Sequence, residues 1–253
     1  QIGAVHDTSA GERGIGYSDI AVLLRSSTSG REYMEALEKR GIPVVFRTGP
    51  DLLSQPEVML FVAGMALMAG LTEFYGGKQP TSFRRRIDTV LNCEPTPEAV
   101  LTAACRAVRS DGLPLEPDVE KHLISVCKLV HDKLEGTSPT PEVDDVMNHI
   151  RTPSLAAWLR AGRTPRRVFP QALYHYLLSE AGVAEWESVP GRGQAALFHL
   201  GQLSSLVTGI ETPGWTTSRD FGYQIIALYL WGADNARAEE APLLIEPQAV
   251  TIS

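Results

Sequence analysis

Arginine is the residue type whose placement in this chain most suggests chemistry. Arg25 follows directly on the apolar run Ile20-Ala21-Val22-Leu23-Leu24, so a segment that reads as a buried strand ends on a cation. In open α/β sheets, ligands bind beyond the carboxyl ends of the strands. Arg25 therefore stands either at a ligand-binding edge or at the strand's exit into solvent. Arg31 falls in the first turn of the helix expected next, where the helix dipole disfavours a cation by about a few tenths of a kcal/mol. Two basic clusters lie further on: Arg84-Arg85-Arg86, and Arg160, Arg163, Arg166 and Arg167 in "LRAGRTPRR". Such arginines hold phosphates by charge, or they form a solvated basic face that balances the 30 acidic residues.

Other kinds of site find little support. Cys93, Cys105 and Cys127 have neither metal-finger nor redox-motif spacing, so they are expected to be reduced and partly buried. The six histidines make no His-x-x-x-His pair and no Glu-flanked zinc helix, and no metal site is expected. His175, between Tyr174 and Tyr176, reads as packing. There is no Gly-x-Ser-x-Gly nucleophile elbow and no Gly-x-x-x-x-Gly-Lys-Ser/Thr phosphate loop.

The elements that would position these residues follow from the pattern. With 253 residues, 43% hydrophobic and 21% charged, the chain has the composition of a globular protein with one large domain or two ordinary ones. A net charge of -7 creates no general attraction to nucleic acid or anionic lipid. No apolar run approaches the roughly 20 residues that span a bilayer. The opening "QIGAVHDTSAGERG" lacks the basic region and apolar core of a signal peptide, so a cytoplasmic location is expected. Residues 17–70 read as strand, helix, strand, helix: "IAVLL", a helix from Ser29 to about Arg40, "PVVFRT", and a helix opened by Ser54-Gln55-Pro56-Glu57. Alternation of this kind predicts a parallel α/β unit. "GLTEFYGGKQPTS" is a linker by composition, and helical segments follow one another after it. The closing "PQAVTIS" turns β-rich again. The expected organisation is thus an α/β unit over residues 1–70, an all-α insertion over 71–245, and a returning strand over 246–253. A sheet of two or three strands is incomplete, so the chain is expected to be part of a larger protein.

The stretch "YSDIAVLLRSSTSGREYMEALEKRGIPVVFRTGPDLLSQPEVMLFVAGMALM" resembles the start of the second motor domain, 2A, of UvrD/Rep/PcrA-type superfamily 1 DNA helicases. Arg25, Arg31, Glu35-Ala36-Leu37, Ile42-Pro43, Gly49 and Glu57-Val58 fall at the spacings of that family's motifs, and "AVTIS" resembles the strand that opens its next motif. In the family a helical 2B subdomain is inserted between these two motifs. The resemblance implies a partial RecA-like parallel sheet unit with a large helical insertion, that is, α/β plus all-α. It also implies that Arg25 is catalytic and reaches the γ-phosphate of ATP held by the phosphate loop of the other motor domain. Leu24 and Arg31 would complete the nucleotide contacts. ATP and Mg²⁺ would be the cofactors, with magnesium held mainly by the other domain. The partners would be single- and double-stranded DNA and the remaining helicase domains, 1A, 1B and the rest of 2A. The implied activity is ATP-dependent 3′ to 5′ translocation in DNA repair.

The match has departures. Leu24 stands where the family often has a Tyr that stacks on adenine, and Ser29 replaces the motif Gln, so the base contacts are weakened. In the helical block, "VLNCEPTPEAV" lacks the Gly-Ile-Gly hairpin with which many relatives touch duplex phosphates. Duplex contact would then fall to Arg84, Arg85, Arg86, Arg163, Arg166 and Arg167. Two rival readings remain open: a helicase-like scaffold subunit of a helicase–nuclease complex that has lost its motor function, and a helical protein-interaction module.

Overall fold

The computed structural model describes residues 4–7, 11–14, 20–22, 33, 36–37, 39–40, 42, 44–46, 52–74, 82–137, 143–161, 165, 167–210, 217–235 and 250–252. The chain divides into two units, residues 51–237 and residues 1–50 with 238–253.

In the smaller unit, β1 (Ala4–Asp7) and β2 (Gly11–Gly14) pair antiparallel, with Ala4 opposite Gly14 and Asp7 opposite Gly11. This hairpin lies in a stretch whose polar composition gave no strand signal. β3 (Ala21–Val22), β4 (Val44–Phe46) and β5 (Val250–Ile252) form a ladder in the order β3-β5-β4, parallel throughout. Of the expected helix from Ser29, Tyr33, Ala36 and Leu37 are described as helical. Tyr33 and Arg40 are exposed, and the Arg40 guanidinium donates to the Ala36 carbonyl at 3.0 Å.

The expectation of an α/β fold with a RecA-like parallel sheet is overturned, because the described molecule is predominantly all-α. Among the described residues, strand is confined to five segments and helix makes up most of the rest. The misreading has a physical source. Alternating strand and helix signals over residues 17–70 are local, and they do not show that most of the chain's apolar surface is buried between helices. The second expected sheet helix also belongs elsewhere. It is α1 (Pro56–Met68), and every residue from Glu57 to Met68 is buried. A helix that is apolar on all sides is a core helix, not the cover of a sheet.

The helical unit is built around α1. A 3₁₀ turn (Leu52–Ser54) precedes it, and Gln55 caps it in extended backbone without a side-chain bond. It is followed by α2 (Ser82–Arg86), which runs into a π-type turn over Ile87–Leu91 and ends at Asn92 in the left-handed region, φ 47°. Next come α3 (Pro97–Ser110), α4 (Val119–Glu135), α5 (Val143–His149), α6 (Pro153–Arg160), α7 (Pro170–Ala181), a 3₁₀ stretch (Val183–Ser188), α8 (Arg192–Ile210) and α9 (Ser218–Asn235). Helices α3, α4, α7, α8 and α9 all pack against α1. The caps are those the sequence predicts. The Thr96 hydroxyl accepts from the Ala99 N–H at 3.3 Å, with Pro97 in the first turn of α3. Gly136 ends α4 at φ +73°, a left-handed closure suited to glycine. The α4 stripe of Val119, Leu123, Val126, Val130 and Leu134 is buried as its spacing requires.

Two features of the core differ from expectation. The supposed linker carries a core anchor: Phe74 is buried, its N–H donates to the Pro95 carbonyl at 2.8 Å, and its ring stands 5.0 Å from Phe83 and 5.1 Å from Tyr229. His175 is exposed rather than packed, with Gln171 Nε2 at 3.2 Å from its Nε2. Its neighbour Tyr174 is the buried member, and it donates to the Leu200 carbonyl at 2.7 Å.

Candidate functional site

Of the residues proposed from sequence for nucleotide or phosphate contact, Leu24, Arg25, Arg31, Arg163 and Arg166 lie outside the described residues. Arg84, Arg85 and Arg86 form the last turn of α2, with Arg85 exposed and its two neighbours half-buried. Arg167 is exposed, and its guanidinium lies 4.8 Å from the centre of the Phe169 ring, just ahead of α7. Arg84, Arg85 and Arg86 on α2 and Arg167 ahead of α7 thus belong to different segments.

The helical unit instead concentrates its charge at two fully buried carboxylates. Glu57 is in the first turn of α1, where the dipole favours an anion. Arg192, the first residue of α8, meets it as a fork: Nη1 donates to Oε1 at 3.0 Å and Nη2 to Oε2 at 2.6 Å. Arg192 Nη2 also reaches Asp111, the cap of α3, at 3.1 Å. His199 Nδ1 lies 2.7 Å from Glu57 Oε1. Burial pushes the Glu57 carboxyl up, but the hydrogen bonds with His199 and Arg192 and the Arg192 charge outweigh it and hold the group at about 2. Arg192 is raised in return: burial lowers it, and its bonds to Glu57 and Asp111 prevail.

Glu180, in the last turn of α7, is the second. Its Oε2 lies 2.8 Å from His122 Nε2 on α4 and accepts the Arg151 backbone N–H at 3.1 Å, while Oε1 accepts the Thr152 N–H at 2.9 Å. Burial raises this carboxyl too, but the bond with His122 and the two backbone donors bring it below the usual range. Both carboxylates are thereby held ionised and surrounded by donors. That arrangement fixes helices to one another and leaves no acceptor poised for general-base work.

An open groove of about 430 Å³ runs along the start of α3, lined by Cys93, Thr96, Glu98, Ala99, Thr102, Ala103, Arg106 and Ile124. Burial and then the Asp88 charge push the Cys93 thiol upward, which lowers its thiolate fraction. Cys105 is pushed to about 12 by burial, and burial also raises Cys127. Among the described residues, no group of three or more His, Cys, Asp or Glu is placed to hold a metal ion.

No protein-family model and no curated protein matches this chain. Among the described residues, no helix is long and apolar enough to cross a membrane.

The Glu57 site was missed in the sequence, although two signals for it are present. Glu57 is the one charged residue in "PEVMLFVAGMALM", and Arg192 and His199 lie seven apart, on one face of one helix. An acid in an otherwise apolar helix needs a partner. What the sequence does not contain is which of its 23 lysines and arginines supplies it; the answer lies 135 positions away.

Proposed function

We propose that this chain is part of an ATP-dependent DNA translocase of the UvrD/Rep/PcrA type. In this reading Arg25 supplies an arginine to the γ-phosphate, and residues 51–237 act as a duplex-contacting or regulatory subdomain. The observation that supports the reading is in the sequence: Arg25, Arg31, Glu35-Ala36-Leu37, Ile42-Pro43, Gly49 and Glu57-Val58 stand at the family's motif spacings, and "AVTIS" follows them only after a long helical block. Leu24 and Arg31 would flank the nucleotide. ATP and Mg²⁺ would be held mainly by a domain with the phosphate loop that these 253 residues lack, either in the same polypeptide or in a partner.

ATP turnover tests this. The 253-residue chain alone should hydrolyse no ATP, with or without single-stranded DNA, because nothing in it positions the β- and γ-phosphates. Joined to a phosphate-loop motor domain it should support DNA-stimulated turnover. In that assembly Arg25→Ala should lower kcat by about 10²- to 10⁴-fold with a smaller effect on ATP affinity, since the guanidinium acts on charge developing in the transition state. Arg25→Lys should rescue poorly, because an ammonium lacks the fork. Turnover by the isolated chain, or an Arg25→Ala assembly that works at the wild-type rate, would reject the reading in favour of a scaffold or interaction module.

A further inference from the structure

We propose that α5 and α6 form a strap that opens from α4 as one unit while the rest of the helical bundle stays folded, and that the buried carboxylate of Glu180 is the latch holding it shut.

The strap is lightly anchored by apolar contact. Met147, Leu155 and Ala156 are buried, while Val146, Ile150, Trp158 and Leu159 are half-buried and the other side chains described there are mostly exposed. By contrast, α1 is buried along nearly its whole length. Segments with few buried apolar contacts open locally at a fraction of the global unfolding free energy. Polar ties add to these contacts in holding this one down.

Those ties converge on the junction between the two helices. The first N–H groups of any helix lack partners within it. Thr152, the cap of α6, makes no side-chain capping bond. The missing acceptor comes from α7 instead: Glu180 accepts the N–H groups of Arg151 and Thr152 while it holds His122 of α4. One carboxylate thus caps α6 and fastens the strap to two other helices. Two further ties among the described residues are more exposed. The Arg151 guanidinium pairs with Glu116, and Lys133 donates to the Ala161 carbonyl. Exposed ion pairs of this kind contribute little. Losing Glu180 leaves two backbone donors without their acceptor at a half-buried junction, whereas losing Glu116 leaves a guanidinium that water can solvate. Opening uncovers part of α4 and the His122–Glu180 pair, so anything that withdraws the carboxylate's charge loosens this region first.

Native-state hydrogen exchange on the 253-residue chain reads this directly. In the wild type, amides of residues 146–160 should exchange at least about tenfold faster than those of residues 58–68, and with a weaker dependence on added denaturant, the mark of a partial opening. Glu180→Gln should speed the strap by a further factor of about ten or more while α1 changes by less than about threefold. Glu116→Gln should change the strap rate by less than about threefold. Equal wild-type rates and denaturant slopes for the strap and α1 would overturn the strap. An unchanged strap rate in Glu180→Gln, or an equal acceleration of strap and α1, would overturn the latch. If Glu180→Gln does not fold, the wild-type comparison still decides whether the strap exists, and His122→Leu, which removes the side-chain partner of the carboxylate, replaces it as the probe of the latch: a strap rate unchanged in that variant overturns the latch, and a selective rise supports it.

Discussion

Glu57 carries its charge with no exposure to water, so its stabilising effect depends on the donors around it. A carboxyl held at about 2 against an ordinary 4.5 corresponds to roughly 3 kcal/mol of preference for the ionised form in the folded state. The sign follows from the depressed folded value. The contribution is fully present above pH 4.5 and is lost as the pH falls from 4.5 toward 2. Glu57→Gln should therefore destabilise the helical unit by about 3 kcal/mol near pH 7, and the difference from wild type should shrink steadily below pH 4.5. Urea unfolding of both proteins across that range measures it, and a gap of the same size at pH 3 and pH 6 would be inconsistent with this account. Arg192→Met should cost about 3–5 kcal/mol, because among the described residues it leaves the buried carboxylate with His199 as its side-chain partner. Asp111→Asn should matter far less, since that side chain is 45% exposed.

At the scale of elements, close approach of α1 and α7 is made possible by Gly64. A Cβ at that position would lie 2.4 Å from Leu177 Cδ2 and 3.2 Å from Cδ1, and Leu177 is itself buried. Gly64→Ala gains about 1 kcal/mol of helix propensity but overpacks the crossing at a cost of about 1–3 kcal/mol, so a net loss is expected. Leu177→Ala alone should cost about 2–5 kcal/mol through the cavity it leaves. The double variant should be more stable than the sum of the singles implies, because the added methyl fills part of that cavity. Additive free energies in the double-mutant cycle would show that the helices separate rather than repack. How far these elements were legible in the sequence depends on where their determinants lie. Thr96-Pro97-Glu98 announced α3, and the breakers Gly136 and Gly182 closed α4 and α7, because caps are local in sequence. The π-type turn after Arg86 has no such signature, and the role of Phe74 was hidden in a glycine-bearing stretch. The central place of α1 was missed for a related reason: an apolar helix announces that it is buried but not what buries it. The same limit hid the pairing of Glu57 with Arg192 and of Glu180 with Arg151 and Thr152, since tertiary packing alone brings them together.

For the molecule as a whole, charge sets how firmly nucleic acid is held. The net charge of -7 opposes binding, so any contact rests on local arginines. With two or three engaged on phosphates, the 253-residue chain should bind duplex DNA without sequence preference and with a dissociation constant of about 10⁻⁴ M or weaker at physiological salt. Each engaged phosphate contributes a slope of about -0.9 to the log–log dependence of affinity on salt. Changing Arg163, Arg166 and Arg167 together to Ala should flatten that slope by about two to three contacts and weaken binding to all sequences alike. Arg167 adds a local complication that is small enough to ignore in the readout. Its loss removes a cation from the face of the half-exposed Phe169 ring, a contact that contributes about 0.5–1 kcal/mol at exposed sites. The fold should survive the change, so circular dichroism and the unfolding midpoint serve as controls. Arg84, Arg85 and Arg86 give the comparison. Two of them are half-buried at the end of α2, so Arg85→Ala should alter the slope by at most one contact. A titration in which the triple variant keeps both affinity and salt slope would remove duplex contact from the role of residues 51–237 and leave partner binding or regulation as the work of the helical unit.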